Sequence, residues 1–366
     1  RLFLGDGLLT SEGDFWLRQR RIAQPAFHKK RIDALTPAMT SAAERARRGF
    51  VPGRMFDMHE AMMRLTLEVV ATTLLGSGIA EREAAIVGAA VDFITAETNR
   101  RLRNPIQLPL SVPTRHNRAF LRHRGNLDAI VFRIIEERRR SADVGDDLLS
   151  LLLHATDPET GERMSDQQLR DEVMTMFLAG HETTANALSW AWVQLSRHPD
   201  VAQKLEAELA TVLGDRSPTL EDIPALVYTR QVLDEVMRLY PPAWTIARSP
   251  TEDDELGGYF IPKGSLVFVS PWVVQRHPAL FPNPEGFDPD RFAPGQKLAH
   301  RFAYFPFGGG PRLCIGRTFA LMEGVLLLAT LAQHHRFDLV PGHTAVPESA
   351  VTLRPKGGVQ MVAVPR

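Results

Sequence analysis

The sequence predicts a mainly α-helical fold with a small β region, in the α+β class. In the first two thirds of the 366 residues, apolar side chains recur at three- and four-residue intervals with few helix breakers. After Pro241 and Pro242, proline and glycine interrupt the chain, and short runs of β-branched and aromatic residues appear. With 44% apolar residues, a chain of this length can bury a large core.

Helices are predicted wherever the helical period of apolar residues is sustained. The longest covers residues 166–196, and a last apolar helix begins near Ile315 and extends to about residue 333. Gly214 and the pair Pro241-Pro242 end two of the others. The remaining predicted helices cover residues 66–75, 84–98, 118–139, 199–213 and 226–239.

The β region is predicted to follow these helices. Residues 257–262 form a turn between short strands, and residues 265–269 form a β-branched and aromatic strand. Residues 271–311 follow no period. A segment of about forty residues without regular structure is unusual in a compact domain and indicates a functional loop.

Charge and cysteine content exclude several classes of protein. The 43 Lys and Arg residues balance 43 Asp and Glu residues, so no global field would hold a nucleic acid or an anionic membrane. The single cysteine excludes an intrachain disulfide and a paired-cysteine zinc or redox site, and it predicts a reducing, cytoplasmic location. No apolar run approaches the roughly 20 residues of a membrane span, so none is expected.

One segment departs from the overall charge balance. Residues 15–31 carry six basic side chains and no acidic one. A solvated helix face would explain this pattern, and so would a docking surface for an acidic protein. The six basic residues are Arg18, Arg20, Arg21, Lys29, Lys30 and Arg31.

Two common site signatures fail on inspection. His181 and Glu182 begin like the zinc-protease helix motif, but Ala185 stands where the second histidine would be. The glycine run at 308–310 is not a dinucleotide fingerprint, because Leu313 stands where the third glycine belongs.

The one cysteine, Cys314, lies in a glycine-rich segment. A lone cysteine is most often a small buried hydrophobic residue. Here four glycines between positions 308 and 316 let a flat ligand approach the backbone, and the start of the following helix would favour thiolate over thiol. Because no second cysteine or histidine lies at ligand spacing, a metal must bring most of its own ligands. Haem iron does so and needs one axial thiolate from the protein.

At this segment the sequence resembles the cytochrome P450 family. The family's cysteine-loop pattern, Phe-x-x-Gly-x-Arg-x-Cys-x-Gly, is matched at every fixed position. The resemblance covers essentially the whole chain from about residue 8 to the end. The matching residues are Phe307, Gly310, Arg312, Cys314 and Gly316.

Further motifs of the family follow in its order. Residues 179–184, Ala-Gly-His-Glu-Thr-Thr, resemble the oxygen-activating stretch of the central helix. Glu235 and Arg238 resemble its Glu-x-x-Arg helix, and Arg291 resembles the loop arginine that joins that pair. Taken alone, Glu235 and Arg238 would be a weak surface ion pair; with Arg291, a buried carboxylate flanked by two guanidinium groups can pin the loop to the helix.

The resemblance implies the cytochrome P450 fold, with a long central helix over haem and a cysteine loop leading into a C-terminal helix. It implies a single domain over residues 1–366. Because the chain starts at Arg1 and not at methionine, the domain is expected to lack its N-terminal strands and first helices.

The implied activity is that of a haem-thiolate monooxygenase, an oxidoreductase. It would insert one atom of dioxygen into a small apolar organic substrate, with electrons from an acidic ferredoxin or flavodoxin-like protein. The implied cofactor is haem b, and the implied state is a monomer. The alternatives are a peroxide-using peroxygenase or isomerase, and a non-catalytic haem-binding fragment.

The resemblance also implies roles for single residues. Glu182 and Thr183 are the expected catalytic acid–alcohol pair, and Glu235, Arg238 and Arg291 are the expected structural triad. Cys314 is the expected axial ligand of the haem iron. The other expected haem-binding residues are Trp16, Arg20, Ala179, Gly180, Arg248, Phe307, Gly308, Arg312 and Gly316.

Overall fold

A helix of 32 residues, α8 (Asp166–Arg197), forms the centre of the protein in the computed structural model. The structure describes residues 2–76, 81–104, 108–140 and 147–365. A capping box starts α8: the Ser165 side chain accepts from the backbone N–H of Gln168, whose side chain accepts from the Ser165 N–H. The helix bounds agree with the predicted 166–196.

The other helices pack around α8. Each predicted helical segment overlaps a helix of the structure. Within the described residues, no helix combines the length and the apolarity of a membrane span. The helices are α1 (Gly13–Ala23), α2 (Lys29–Asp33), α3 (Thr36–Arg48), α4 (Met58–Leu75), α5 (Glu81–Arg103), α6 (Arg115–Arg140), α7 (Leu148–His154), α9 (Pro199–Val212), α10 (Val227–Leu239), α11 (Pro271–Val274) and α12 (Arg317–His334).

Small antiparallel sheets complete the fold at its periphery. A three-stranded sheet has the order β1–β9–β6, and three two-stranded sheets pair β2 with β5, β3 with β4, and β7 with β8. The predicted turn at 257–262 is shorter than expected: residues 257 and 258 turn between β3 and β4, and residues 259–261 form β4 itself. The strands are β1 (Met55–Asp57), β2 (Ile246–Arg248), β3 (Asp254–Leu256), β4 (Tyr259–Ile261), β5 (Val267–Val269), β6 (His335–Leu339), β7 (Pro347–Ser349), β8 (Leu353–Pro355) and β9 (Gln360–Pro365).

The helices differ from the prediction in their bounds and in their number, since α2, α3, α7 and α11 were not predicted. Helix α4 begins eight residues early, because the Asp57 side chain caps its first turn through the N–H groups of His59 and Glu60. Helix α3 was not predicted, because alanines supply much of its buried face and give a weak apolar signal. Helix α12 begins at Arg317, two residues later than predicted.

The irregular segment after α11 is anchored to α10 by a buried triad. The Arg238 guanidinium binds both oxygens of Glu235, at 2.7 and 2.8 Å, and both side chains are fully buried. Arg238 also donates to the carbonyls of Gln275 and Gly286 at 2.9 Å. Arg291 lies 3.4 Å from Glu235 Oε1. The three side chains of the expected triad therefore lie together, and they tie the loop to α10.

The N-terminal residues cross the first half of α8 at close range. The N–H of Asp6 donates to Asp171 Oδ2 at 2.9 Å. A Cβ added at Gly5 would lie 2.1 Å from Asp171 Oδ2, and one added at Gly7 would lie 2.2 Å from Thr175 Oγ1. A side chain at Gly5 would also need a φ of +57°, and one at Gly7 would meet the backbone carbonyl of Asp171 at 2.7 Å, so both positions favour glycine.

Candidate functional site

The middle of α8 opens towards the interior of the molecule. Ala179 is exposed, and Gly180 and Thr183 are half-buried, whereas the neighbouring Thr175 and Thr184 are buried. Ala179 and Thr183 are four residues apart and share one helix face. An exposed patch in the centre of a buried helix indicates a surface that faces a bound group and not the protein core.

The Thr183 hydroxyl lies at this open face. It donates to the carbonyl of Ala179 at 2.6 Å, the usual back-bond of a helical threonine. The lone pairs of the hydroxyl oxygen can therefore accept a hydrogen bond from a donor on the open side. Glu182 points elsewhere: its side chain is buried, and Oε1 accepts from Thr352 Oγ1 at 2.7 Å.

Two neighbours on α8 face α4. The buried His181 places Nε2 3.0 Å from the carbonyl of Met63, and burial lowers the pKa of His181 to about 4. A Cβ added at Gly180 would lie 3.0 Å from Cγ2 of Val70. Glycine at this position therefore also lets α8 pack closely on α4, and Ala179 lies at the open face; the role of Gly180 in clearing space for a cofactor stays a prediction.

The cysteine loop is shaped by its backbone. Gly308 and Gly310 adopt φ angles of +75° and +69°, which side chains with a Cβ rarely adopt. The N–H of Cys314 donates to the carbonyl of Phe307 at 3.1 Å and closes the loop. A Cβ at Gly316 would stand 3.9 Å from the Cys314 sulfur. The loop thus presents Sγ of Cys314 with little side-chain cover.

Cys314 is exposed as a residue, whereas the protein around its sulfur excludes solvent and raises the pKa of the thiol. Burial is the main cause, and the N–H of Gly316 and the positive charge of Arg20 act in the opposite direction. Gly316 is the N-cap residue of α12, so the helix N-terminus does act on the thiol in the expected direction, but its effect on the pKa is smaller than that of burial. A metal cation at the sulfur is what would stabilise the thiolate here.

Three arginines lie at or near the cysteine loop. Burial lowers the pKa of Arg312, and the nearby carboxylate of Glu12 acts to raise it. The Arg312 guanidinium lies 3.9 Å from the centre of the Trp16 ring and donates to the carbonyl of Ser11 at 3.0 Å. The charges of Arg20 and Cys314 interact, and those of Arg248 and Arg312 repel. Among the described residues, no ion pair is found for Arg20, Arg248 or Arg312. Such a set fits a ligand that carries two carboxylates.

These features together fit haem. An exposed sulfur on a glycine-shaped loop suits an axial ligand, and unpaired arginines beside an indole suit the propionates. The open face of α8 carries a methyl group and an alcohol and suits the opposite side of a flat ring. The helix α12, which follows the cysteine loop, packs against α8, so the two halves of the site are adjacent.

The sequence motifs missed the partners of Glu182. Asn186 Nδ2 donates to Thr352 Oγ1 at 2.9 Å, and Thr352 in turn donates to Glu182. Asn186 lies one helical turn after Glu182, but Thr352 is 170 residues away. A polar residue at 186 in an apolar helix was the one available signal.

The basic segment 15–31 is largely neutralised in three dimensions. Arg21 forms two hydrogen bonds with Asp157, at 2.9 and 2.8 Å, and Arg18 pairs with Glu162. Lys29 pairs with Asp33 at 2.7 Å. Lys30 and Arg31 are exposed. The predicted docking surface therefore shrinks, because acids about 140 residues away in sequence pair with two of its six cations and Asp33 pairs with a third.

Comparison with known proteins extends the resemblance over the whole chain. The sequence model of the family "Cytochrome P450" matches residues 1–361. Cyclooctatin synthase from Streptomyces melanosporofaciens is 41% identical over 366 residues, 99% of this chain and 79% of that protein. Cyclooctat-9-en-7-ol 5-monooxygenase from the same organism is 40% identical over 367 residues, 100% of this chain and 80% of that protein. The crystal structure of the cytochrome P450DA haem domain has a TM-score of 0.91 and 32% identity, covering 100% of this chain and 81% of that one.

Proposed function

The chain belongs to the cytochrome P450 family, and we propose that within the family it oxidises an apolar, cyclic terpenoid. It is a haem-dependent monooxygenase that takes an organic substrate, dioxygen and electrons from a redox partner. The terpenoid substrate is supported by two relatives with at least 40% identity, one of which is named for the oxidation of cyclooctat-9-en-7-ol. The observation that carries the proposal is the exposed Cys314 on its glycine loop, beside arginines that form no ion pair among the described residues.

The proposed cofactor is haem b. Cys314 is the one cysteine of the chain, and as the axial ligand it leaves no thiol for the covalent attachment that c-type haem requires. Arg20, Arg312 and the indole of Trp16 are proposed to bind the propionates. Arg248, which is exposed and repels Arg312, is proposed as a further propionate ligand.

The chemistry that haem supplies in cytochrome P450 enzymes is the activation of dioxygen, with a cysteine thiolate donating electron density to the iron. The protein itself contributes side chains that bind and transfer protons. Thr183 is proposed to hold a proton donor at Oγ1, because its own proton is already engaged with the Ala179 carbonyl at 2.6 Å. Glu182 is proposed to supply protons to this hydroxyl, from a buried position that excludes bulk water.

The proposed electron donor is an acidic ferredoxin. Lys30 and Arg31 remain exposed beside Arg20, and the three border a groove of about 740 Å³ with His28 and Pro158. Because the charge of Arg20 interacts with Cys314, an acidic protein seated at this groove would lie close to the sulfur. The monomeric state, the single domain and the cytoplasmic location stay predictions.

The test has a spectroscopic step and a chemical step. The haem-loaded protein, reduced with dithionite under carbon monoxide, is expected to show a strongly red-shifted Soret band, and Cys314→Ala is expected to lack it. With a surrogate ferredoxin and its reductase, cyclooctat-9-en-7-ol is then expected to gain one oxygen atom. A normal band without product would contradict the terpenoid substrate, and product with hydrogen peroxide but not with ferredoxin would favour the peroxygenase alternative.

A further inference from the structure

The carboxylate of Glu182 is held by two residues that lie outside the family motifs. Thr352 Oγ1 donates to Glu182 Oε1 at 2.7 Å, and Asn186 Nδ2 donates to Thr352 Oγ1 at 2.9 Å. Glu182 is 2% exposed, Thr352 is 7% exposed and Asn186 is fully buried. Bulk water therefore does not compete for these hydrogen bonds, and each is stronger than its counterpart at a surface.

The donor and acceptor roles fit an ionised Glu182. A threonine hydroxyl has one proton and two lone pairs, and an amide nitrogen can only donate. Since Asn186 donates to the Thr352 oxygen, the Thr352 proton is free to point at the carboxylate. The hydrogen bonds thus run from Asn186 on α8 to Thr352, and from Thr352 back to Glu182 on α8.

The same three groups also accommodate a protonated Glu182. The carboxyl would then donate to Thr352 Oγ1, and the hydroxyl would rotate to donate to Asn186 Oδ1 after the amide turns over. Asn186 Oδ1 is buried and has no hydrogen-bond partner in the described part of the chain. The acceptor that the second arrangement needs is therefore present.

The position of Thr352 is set by elements other than α8. Trp244 Nε1 donates to the carbonyl of Ala350 at 3.0 Å, and the N–H of Val351 donates to Asn99 Oδ1 at 2.8 Å. The N–H of Leu353 donates to the carbonyl of Pro242 at 2.9 Å. Residues on both sides of Thr352 are thus fixed to α5 and to the chain after α10, and its hydroxyl is held in place for Glu182.

We propose that Thr352, oriented by Asn186, is a positioning residue that holds the Glu182 carboxyl for proton delivery in both of its protonation states. This inference rests on the proposed role of Glu182. Oxidation of the substrate and release of hydrogen peroxide each consume two electrons and two protons per dioxygen. Where the protons arrive therefore decides between product with water and peroxide, and a displaced Glu182 shifts the balance to peroxide.

The experiment compares three variants of the haem-loaded protein. Thr352→Val removes the hydroxyl and keeps the shape, and Thr352→Ser restores the hydroxyl. Thr73→Val is the matched control, because the buried Thr73 hydroxyl binds only backbone carbonyls of its own helix, α4, at 2.7 and 3.4 Å. The readouts are product and hydrogen peroxide per electron pair, with a surrogate ferredoxin as donor and cyclooctat-9-en-7-ol as the substrate probe.

We expect Thr352→Val to form about tenfold less product per electron pair, with the difference released as peroxide. Thr352→Ser and Thr73→Val are expected to stay within about twofold of the unaltered protein. When hydrogen peroxide is the oxidant, all variants are expected to react alike, since peroxide already carries the protons. Unchanged product yield in Thr352→Val, or an equal loss in Thr352→Ser, would overturn the proposal.

A second readout does not depend on the substrate. The infrared carboxyl bands of Glu182 are assigned by their loss in Glu182→Gln, and we expect them to shift in Thr352→Val and to return in Thr352→Ser. Bands that stay in place in Thr352→Val would overturn the proposal even if no probe is oxidised. Absence of product in every protein, with the expected band shift, would count only against the proposed substrate.

Discussion

Arg238 and Glu235 form a bidentate ion pair inside the protein, with N···O distances of 2.7 and 2.8 Å and no exposed surface on either side chain. Burial raises the pKa of Glu235, and Arg238 opposes that effect. The pair also binds backbone groups of the irregular loop, since Arg238 donates to the Gln275 carbonyl and Glu235 accepts from the Asp288 N–H. The path of that loop to the cysteine therefore depends on one helical turn of α10.

Arg238→Leu is expected to lower the free energy of unfolding by about 3–5 kcal/mol, because it leaves a buried carboxylate without its counter-charge. Urea unfolding of the haem-loaded protein measures this. The control is Arg64→Leu, which removes an exposed pair with Glu60 and should cost less than about 1 kcal/mol. Similar losses in the two variants would contradict the structural role of the triad.

Alkylation of the single cysteine reports directly on the Cys314 thiol. Because burial raises its pKa, haem-free protein should react slowly with iodoacetamide at neutral pH and faster as the pH rises. Arg20→Gln removes a charge that lowers this pKa, so alkylation at a fixed pH should become slower. Mass spectrometry measures the rate. An unchanged alkylation rate in Arg20→Gln would show that the two groups do not interact.

Glu323 predicts a pH dependence of stability. It is fully buried on α12, and burial raises its pKa from 4.5 to about 8, against a smaller effect of Thr184. The unfolded chain ionises first as the pH rises, so the stability that Glu323 contributes is full below pH 4.5 and is lost towards pH 8.

Glu323→Gln keeps a neutral group of the same shape and removes this loss. The free energy of unfolding of the variant, relative to the unaltered protein, is expected to rise by about 4 kcal/mol between pH 4.5 and 8. Urea titrations at several pH values measure it. Two parallel stability curves would mean that Glu323 is ionised in the folded protein.

Charge reversal tests the proposed ferredoxin surface. Lys30→Glu with Arg31→Glu should slow reduction by an acidic ferredoxin about tenfold at low salt, and added salt should diminish the difference by screening. Stopped-flow absorbance of the haem measures the rate. Arg45→Glu is the control, because Arg45 lies on α3 and pairs with Glu68. An equal effect of this control would show that only net charge matters.

Arg248 and Arg312 should differ in what their loss affects. Arg312 also stacks on Trp16 at 3.9 Å and binds the Ser11 carbonyl, so Arg312→Met should weaken both folding and haem retention. Arg248 donates only to the adjacent Ala247 carbonyl in the described structure. Arg248→Met should therefore leave haem-free stability within about 0.5 kcal/mol and speed haem loss to apomyoglobin. Unchanged haem loss would remove Arg248 from the propionate site.

Sequence reasoning found the parts of the site that are local in the chain. The Cys314 loop, the open face of α8 and the spacing of Glu235 and Arg238 each lie within one element, where a motif or a helical period can show them. The mainly helical class with a small β region was confirmed for the same reason.

It missed what depends on distant pairing. Thr352 is 170 residues from Glu182, and the acids that neutralise Arg18 and Arg21 are 144 and 136 residues away. The contact of Gly180 with Val70 of α4 was also missed, because the sequence does not show which neighbour packs against a glycine. These contacts depend on how the helices pack against each other. No periodicity or motif in a single sequence indicates them.

The tight crossing of residues 5–7 over α8 bears on directed evolution of this enzyme. The segment borders the central helix, and a library aimed at substrate range would naturally include it. At Gly5 and Gly7, however, a Cβ would come within 2.1 and 2.2 Å of α8 side chains, so nearly every codon other than glycine is expected to be lost to misfolding whatever the substrate. Screening effort is better spent on the exposed Leu2 and Leu9, where diversity does not compete with the packing of the scaffold.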